Sequence, residues 1–178
     1  MVNKSSATSR QGLPLGWVRG LPDYVSALRF SPDGRLLAAA TLAGMVVVLE
    51  SDSGEVRYQL DGHAGGALTL DWSPDGQFLA TGGQDGGVCI VKSDTGVTLA
   101  SIEVSSAWVE HVAWSPDSRY LGVAAGKVAR FFSQAGSVAG EVKEHASTVT
   151  SLLWLPQSEL AVTACYGGIQ FLRVKQST

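Results

Sequence analysis

Residues Trp72-Ser73-Pro74-Asp75-Gly76 end one apolar segment in a tight turn, and a second apolar segment, Phe78-Leu79-Ala80-Thr81, follows at once. Proline fixes the backbone at the first central position of a β-turn, and Asp and Gly favour the positions after it. Two short apolar segments that flank such a turn indicate a pair of antiparallel strands. This part of the chain therefore predicts a β-hairpin closed by a Pro-Asp-Gly turn.

The same turn recurs at nearly constant spacing. Its four copies begin at residues 31, 73, 115 and 155, in steps of 42, 42 and 40 residues, and the last copy, Leu-Pro-Gln-Ser, is the most altered. A fixed period of this length is the signature of a repeat architecture. The chain is therefore expected to contain four copies of one unit. An aromatic residue stands before each turn, at Phe30, Trp72, Trp114 and Trp154.

Each unit is predicted to hold four short strands. In the clearest copy, a Gly-rich turn at 82–87 follows the second strand and leads to a third apolar segment at 88–91. Another turn at 94–96 precedes a fourth apolar segment at 97–102. Short strands at this spacing are typical of an antiparallel meander. The predicted fold class is all-β, with four four-stranded antiparallel units.

Composition and charge narrow the classes of partner. The net charge is −3, and the 13 Lys and Arg residues are scattered and outnumbered by 16 Asp and Glu residues. Nucleic-acid binders usually carry a basic patch, so no nucleic-acid partner is expected. The longest uncharged run, residues 36–49, is shorter than the roughly 20 residues that a membrane helix needs. No membrane association is therefore predicted.

The expected location is the cytoplasm. Residues 1–12 are polar and lack the apolar core of a signal peptide, and we expect them to form a disordered tail. Cys89 and Cys165 occupy different places within their units, and buried free thiols are expected at both. Residues 175–178 are predicted to be a short C-terminal tail.

The repeat resembles the WD-repeat family, in which a unit of about 40–45 residues forms one blade of a β-propeller. The resemblance spans roughly residues 13–174 and is clearest in the second unit, with Gly62-His63, residues 73–76 and residues 84–87. It implies a propeller of four-stranded blades, four in each chain. The Trp-Asp dipeptide that usually ends the third strand is absent. Its places hold Leu49-Glu50, Val91-Lys92, Phe131-Phe132 and Leu172-Arg173.

The resemblance also implies a structural hydrogen-bond network within a blade. The family joins Asp, His, Ser or Thr, and Trp by buried hydrogen bonds. In this chain the network is expected to survive in part, as Asp85, His63 and Thr81. His145 occupies the place of His63 in the fourth unit and is given the same structural role.

An N-terminal strand at 13–20 is predicted to complete the last blade. This segment aligns with the fourth strands at 55–60 and 97–102, whereas the fourth unit reaches only a third strand near residues 168–174. Such a clasp would cover an exposed sheet edge, which otherwise invites aggregation. WD-repeat rings are commonly closed in this way.

Three ways of closing the ring are open. Two chains could form a homodimer with eight blades, each donating its N-terminal strand to the other's last blade. The chain could instead be a fragment or an engineered half of a longer propeller, with no separate activity. A lone ring of four blades is the third possibility, although its centre would be narrow.

The residues expected to bind a partner lie at one rim of the propeller. Tyr24 and Trp108 occupy the same place in their units, where the inner strand begins, and Tyr166 lies in a turn at the same rim. Aromatic residues are enriched at binding hot spots, so these three are the predicted contacts for a protein or peptide. The alternative is that they pack between neighbouring blades.

His111 is the one candidate for chemistry in a central channel. It replaces the small residues Ala27, Thr69 and Ser151 of the other units, on the innermost strand. A role there would make the chain an enzyme or a small-ligand binder. The three histidines, however, show no metal-ligand spacing, and no catalytic or cofactor motif is visible. The leading hypothesis is a non-catalytic protein-binding scaffold, with no metal and no cofactor.

Overall fold

The computed structural model describes residues 16–142, 145–156 and 159–174. This part of the chain is all-β, with four antiparallel sheets in which each strand pairs with the next along the sequence. The first three sheets have four strands, and the fourth has three within the described residues. The strands are β1 (Val25–Phe30), β2 (Leu36–Thr41), β3 (Met45–Glu50), β4 (Val56–Asp61), β5 (Ala67–Trp72), β6 (Phe78–Gly83), β7 (Gly87–Lys92), β8 (Thr98–Glu103), β9 (Val109–Trp114), β10 (Tyr120–Ala125), β11 (Val128–Ser133), β12 (Val138–Val142), β13 (Val149–Trp154), β14 (Leu160–Cys165) and β15 (Gly168–Arg173).

The predicted Ser-Pro-Asp turns join the first two strands of the first three sheets. In the first sheet, the hydroxyl of Ser31 donates to Oδ1 of Asp33 at 2.7 Å and accepts the backbone N–H of Leu36 at 2.9 Å. These bonds close the turn with side chains from within a few residues, so the turn is specified locally. The same serine–aspartate bond recurs between Ser73 and Asp75 and between Ser115 and Asp117, at 2.6 Å in both.

The sheets pack side by side through their inner strands. Strand β1 packs against β5, β5 against β9, and β9 against β13. Apolar side chains from the facing sheets form the core of each junction. Between the first two sheets this core includes Val46 and Val48 from one side and Ala67, Leu70 and Trp72 from the other.

A hydrogen bond from an indole N–H to a backbone oxygen reinforces two of these three junctions. Trp72 Nε1 donates to the carbonyl oxygen of Arg29 at 3.1 Å, and Trp154 Nε1 donates to that of Ala113 at 2.9 Å. In both cases the tryptophan before a Pro turn reaches the inner strand of the preceding sheet. The aromatic position that recurs in the sequence therefore joins neighbouring units.

The predicted all-β fold of repeated antiparallel units is confirmed. Part of the predicted N-terminal strand, residues 13–15, lies outside the described residues, as do the tails at 1–12 and 175–178. Residues 16–20 belong to none of the four sheets, and Val18 forms an isolated bridge. Completion of the last blade by this segment stays a prediction. No helix in the described part of the chain is long and apolar enough to cross a membrane.

Candidate functional site

One end of the sheet row carries the loops where the inner strands begin. Backbone hydrogen bonds tie these loops to the turns between second and third strands: Leu42 N donates to Tyr24 O at 3.0 Å, and Gln84 N donates to Gly66 O at 2.9 Å. We call this end the rim, since its loops are fixed by the ends of the strands. The rim consists of residues 21–24, 42–44, 62–66, 84–86, 105–108, 126–127, 145–148 and 166–167.

Three aromatic side chains at the rim are open to solvent. Tyr24 is 79% exposed, Trp108 54% and Tyr166 87%. Within the described residues, the two tyrosine hydroxyls and the indole N–H of Trp108 make no hydrogen bond. They lie at the same end of the strands.

A hydrogen-bond network at the rim holds the second unit together. The ring of His63 is buried between Asp85 Oδ1, 3.0 Å from its Nδ1, and Thr81 Oγ1, 2.8 Å from its Nε2. The carboxylate of Asp85 also accepts the backbone N–H groups of Ala64 and Gly87, both at 3.1 Å. Asp85 therefore links the loop before the inner strand to the turn after β6.

The charged state of Asp85 is favoured by these donors. Burial acts to raise the pKa of its carboxyl, but the hydrogen bonds from His63 and from the Gly87 and Ala64 N–H groups outweigh it. The pKa of Asp85 is consequently held below its usual value. Hydrogen bonding to a carboxylate stabilises the ionised form in this way.

His145 of the fourth unit forms a related network without a carboxylate, and it reaches the third unit at Lys127. His145 is buried, with Nε2 2.8 Å from Thr163 Oγ1 and Nδ1 3.0 Å from the backbone oxygen of Lys127. Because a carbonyl can only accept, Nδ1 of His145 donates to the Lys127 oxygen. Thr163 was not among the residues predicted from sequence, although it occupies the place of Thr81 in its unit.

His111 has no comparable environment. It lies half-buried on β9 opposite Ala124, and its ring makes no hydrogen bond or ion pair in the described part of the chain. Its neighbour Glu110 is exposed. Cys89 and Cys165 are both free, but they are half-buried and not fully buried as expected. Across residues 16–142, 145–156 and 159–174, no group of three or more His, Cys, Asp and Glu residues could hold a metal ion.

A groove of about 590 Å³ lies between the first two sheets, at the end opposite the rim. Its charged side chains are largely engaged with one another. Arg57 pairs with Glu50 at 3.2 Å, and the carboxylate of Asp33 accepts the Ser31 hydroxyl. The hydrogen bonds from Ser31 and from the Arg35 backbone outweigh burial and lower the pKa of Asp33. The groove thus holds two ion pairs, Arg57–Glu50 and Arg35–Asp33.

Comparison with known proteins shows which family the repeated unit resembles. The family model for the "WD domain, G-beta repeat" matches residues 17–48 and 54–92, which are most of the first two units. Abnormal embryogenesis protein 30 of Caenorhabditis elegans is 44% identical to this chain over 52 residues, covering 29% of the chain and 5% of that protein.

Solved structures show the same fold over most of the chain. The structure of U3-55K superposes with a TM-score of 0.80 at 19% identity, covering 88% of this chain and 50% of that one. The computationally designed Ika4 protein superposes with a TM-score of 0.79 at 20% identity, covering 89% of this chain and 96% of that one.

The chain thus spans half the length of U3-55K and a small part of the nematode protein. WD-repeat propellers generally bind proteins and are in general not enzymes. The repeat matches and the shared architecture together identify the four sheets as propeller blades. Residues 17–48 and 54–92 are similar to the WD-repeat family, and the chain shares the propeller fold of the solved structures.

Proposed function

We propose that this chain is a non-catalytic scaffold whose rim binds a protein or peptide. The observation that carries the proposal is the exposure of Tyr24, Trp108 and Tyr166 at one end of the blades. Aromatic side chains supply large contact areas and a polar group that can bond to a partner. Loops anchored by strands hold such groups in fixed positions, which lowers the entropy lost on binding.

The charge of the chain supports a protein rather than a nucleic acid as the partner. A net charge of −3 with scattered Lys and Arg gives no basic stripe for phosphates. The cytoplasm is the proposed location, and two free cysteines fit a reducing compartment. A homodimeric ring is a separate proposal, which depends on the two ends of the blade row.

The test compares rim variants with a variant at the opposite end. The immobilised chain is used to isolate candidate partners from a cell extract, and each candidate is then purified and its dissociation constant measured directly. Trp108→Ala and Tyr166→Ala are expected to weaken binding by about 2 kcal/mol each, which is roughly thirtyfold. Both side chains are largely exposed, so thermal unfolding should be nearly unchanged.

Val138→Ala is the matched control, because Val138 is exposed at the start of β12, away from the rim. It should leave both affinity and stability unchanged. Equal affinities for the wild-type chain and both rim variants, with every candidate partner, would overturn the proposal. A loss of folding in Trp108→Ala in parallel with the loss of binding would show that the residue serves packing.

A further inference from the structure

The first blade exposes an apolar surface that the other blades bury. On β1, Val25 is 44% exposed, Leu28 50% and Phe30 61%. We call these three residues the leading face. The equivalent positions on β5, β9 and β13 are covered by the preceding blade. Eight of these nine positions are at most 7% exposed, and the ninth, Trp154, is half-buried. The eight are Ala67, Leu70 and Trp72 on β5, Val109, Val112 and Trp114 on β9, and Val149 and Leu152 on β13.

The last blade exposes a second apolar surface, on its opposite side. Leu153 is 63% exposed, Ile169 67% and Phe171 71%, and we call these residues the trailing face. The positions equivalent to Ile169 and Phe171 are at most 2% exposed in the other three blades. They are occupied by Val46 and Val48, by Val88 and Ile90, and by Ala129 and Phe131.

Junctions inside the chain show what covers each face. The ring of Phe131 packs edge-on against that of Trp154, with centroids 5.6 Å apart. Phe131 is the equivalent of Phe171, and Trp154 is the equivalent of Phe30. Each internal junction therefore joins a trailing face to a leading face. The two exposed faces are apolar, and their side chains lie at the same repeat positions as those of the internal junctions. They can therefore form one more junction of the same kind.

One chain does not bring its own two faces together. The inner strands pack in the order β1, β5, β9 and β13, and the high exposure of Phe30 and Leu153 shows that the row is open between its ends. The chain covers 50% of the U3-55K chain, which has the same fold. A second copy would bring the length to about that of U3-55K.

The N-terminal segment is also placed for such a junction. Trp17 Nε1 donates to the backbone oxygen of Ser51 at 2.9 Å, just as the Tyr58 hydroxyl on β4 donates to that of Ser93 at 3.0 Å. Residues 16–20 thus lie beside the first blade where the fourth strand of a preceding blade belongs. Among the described strands β15 pairs with β14 alone, so its other edge is the place for that strand.

We propose that two copies of this chain join through two identical junctions, each pairing the leading face of one copy with the trailing face of the other. Phe30 of one copy packs against Phe171 of the other, and residues 16–20 lie along the β15 edge of the other copy. A head-to-tail contact of this kind closes into a ring only when the rotation fits, and two four-blade halves close with twofold symmetry. This assembly does not depend on rim binding.

The test is a charge-swap experiment read by light scattering. The wild-type chain is expected to have twice the mass of 18.6 kDa. Phe30→Asp and Phe171→Lys, each alone, should raise the dimer dissociation constant about a hundredfold or more, because each buries an unpaired charge at both junctions. An equimolar mixture of the two variants should recover the dimer, since one junction is restored and the other gains an opposite-charge pair.

The control is Val97→Asp, which places a charge at an exposed apolar residue outside both faces and should keep the dimer. Circular dichroism should show the same β content in every variant. A wild-type mass of one chain would overturn the proposal and leave the faces to a different protein. Masses beyond two chains, dimers that persist in either single variant, or a mixture that stays monomeric would each overturn the pairing of leading with trailing faces.

Discussion

Nδ1 of His63 lies 3.0 Å from Oδ1 of Asp85, and this pair ties two loops of the second blade to each other. In the fourth blade the same imidazole position, His145, faces the carbonyl oxygen of Lys127 at 3.0 Å. One network is therefore anchored by an ionised carboxylate and the other by a neutral backbone group. The two blades should respond differently to substitution and to acid.

Replacement of Asp85 by Ala should lower the free energy of unfolding by about 2 kcal/mol. The carboxylate accepts three donors, from the His63 ring and from the N–H groups of Ala64 and Gly87. Its loss leaves a buried imidazole without its partner. Urea unfolding at neutral pH measures the change. Asp52→Ala, at an exposed turn position, is the control and should stay within about 0.5 kcal/mol of wild type. Equal losses in the two variants would contradict the role of the network.

The contribution of Asp85 should also depend on pH. Its pKa is lower in the folded chain than the unfolded value of about 3.9. The stabilisation is therefore fully present above the unfolded pKa and is lost as the pH falls through the folded pKa. The stability difference between wild type and Asp85→Ala, measured by urea unfolding, should be constant from pH 7 to about pH 5 and shrink in more acid buffer. A difference that grows on acidification would show the opposite sign of linkage.

Two buried tryptophans allow the contribution of the junction hydrogen bond to stability to be measured by comparison. Trp72 donates to Arg29 O, whereas the buried indole N–H of Trp114 has no partner within the described residues. Both substitutions to Phe remove similar volume, so the difference between them isolates the hydrogen bond. Trp72→Phe should cost about 1 kcal/mol more than Trp114→Phe in thermal or urea unfolding. An equal or larger cost for Trp114→Phe would indicate a bond that the indole makes elsewhere.

The repeated turns could be predicted from the sequence because their bonds are local. Ser31 reaches Asp33 and Leu36 without help from another blade, so the motif carries its own geometry. The period of the motif then fixes the number and order of the sheets. The aromatic residues before the turns were visible as a pattern, but their indole bonds to the preceding blade were not.

The details that escaped sequence reasoning depend on contacts between distant residues. The bond of His145 to Lys127 O arises where the Asp of the second blade has no equivalent, and a backbone partner leaves no residue signature. Thr163 could have been found, because it follows the fourth turn at the same place as Thr81 follows the second. The exposure of Phe30 could not be predicted, because Phe30 occupies the repeat position at which the other three units have a buried or half-buried tryptophan.

The fold disfavours the ionised form of the Asp71 side chain. It lies on β5 and accepts the backbone N–H of Trp114 from the next blade at 2.8 Å. Burial raises the pKa of its carboxyl, although the bond from Trp114 and the charge of Arg29 oppose the rise. This carboxylate therefore bridges two blades and loses solvation in doing so.

The raised pKa of Asp71 makes its contribution to stability depend on pH. Because the folded pKa of Asp71 lies above the unfolded value, its contribution to stability is fully present below the unfolded pKa and is lost as the pH rises through the folded pKa. Asparagine stays neutral and its amide oxygen still accepts the Trp114 N–H. Asp71→Asn should therefore be as stable as wild type at pH 7 or up to about 1 kcal/mol more stable, with a smaller gain in acid buffer. A variant that is clearly less stable at pH 7 in urea unfolding would mean that the ionised carboxylate itself holds the two blades together.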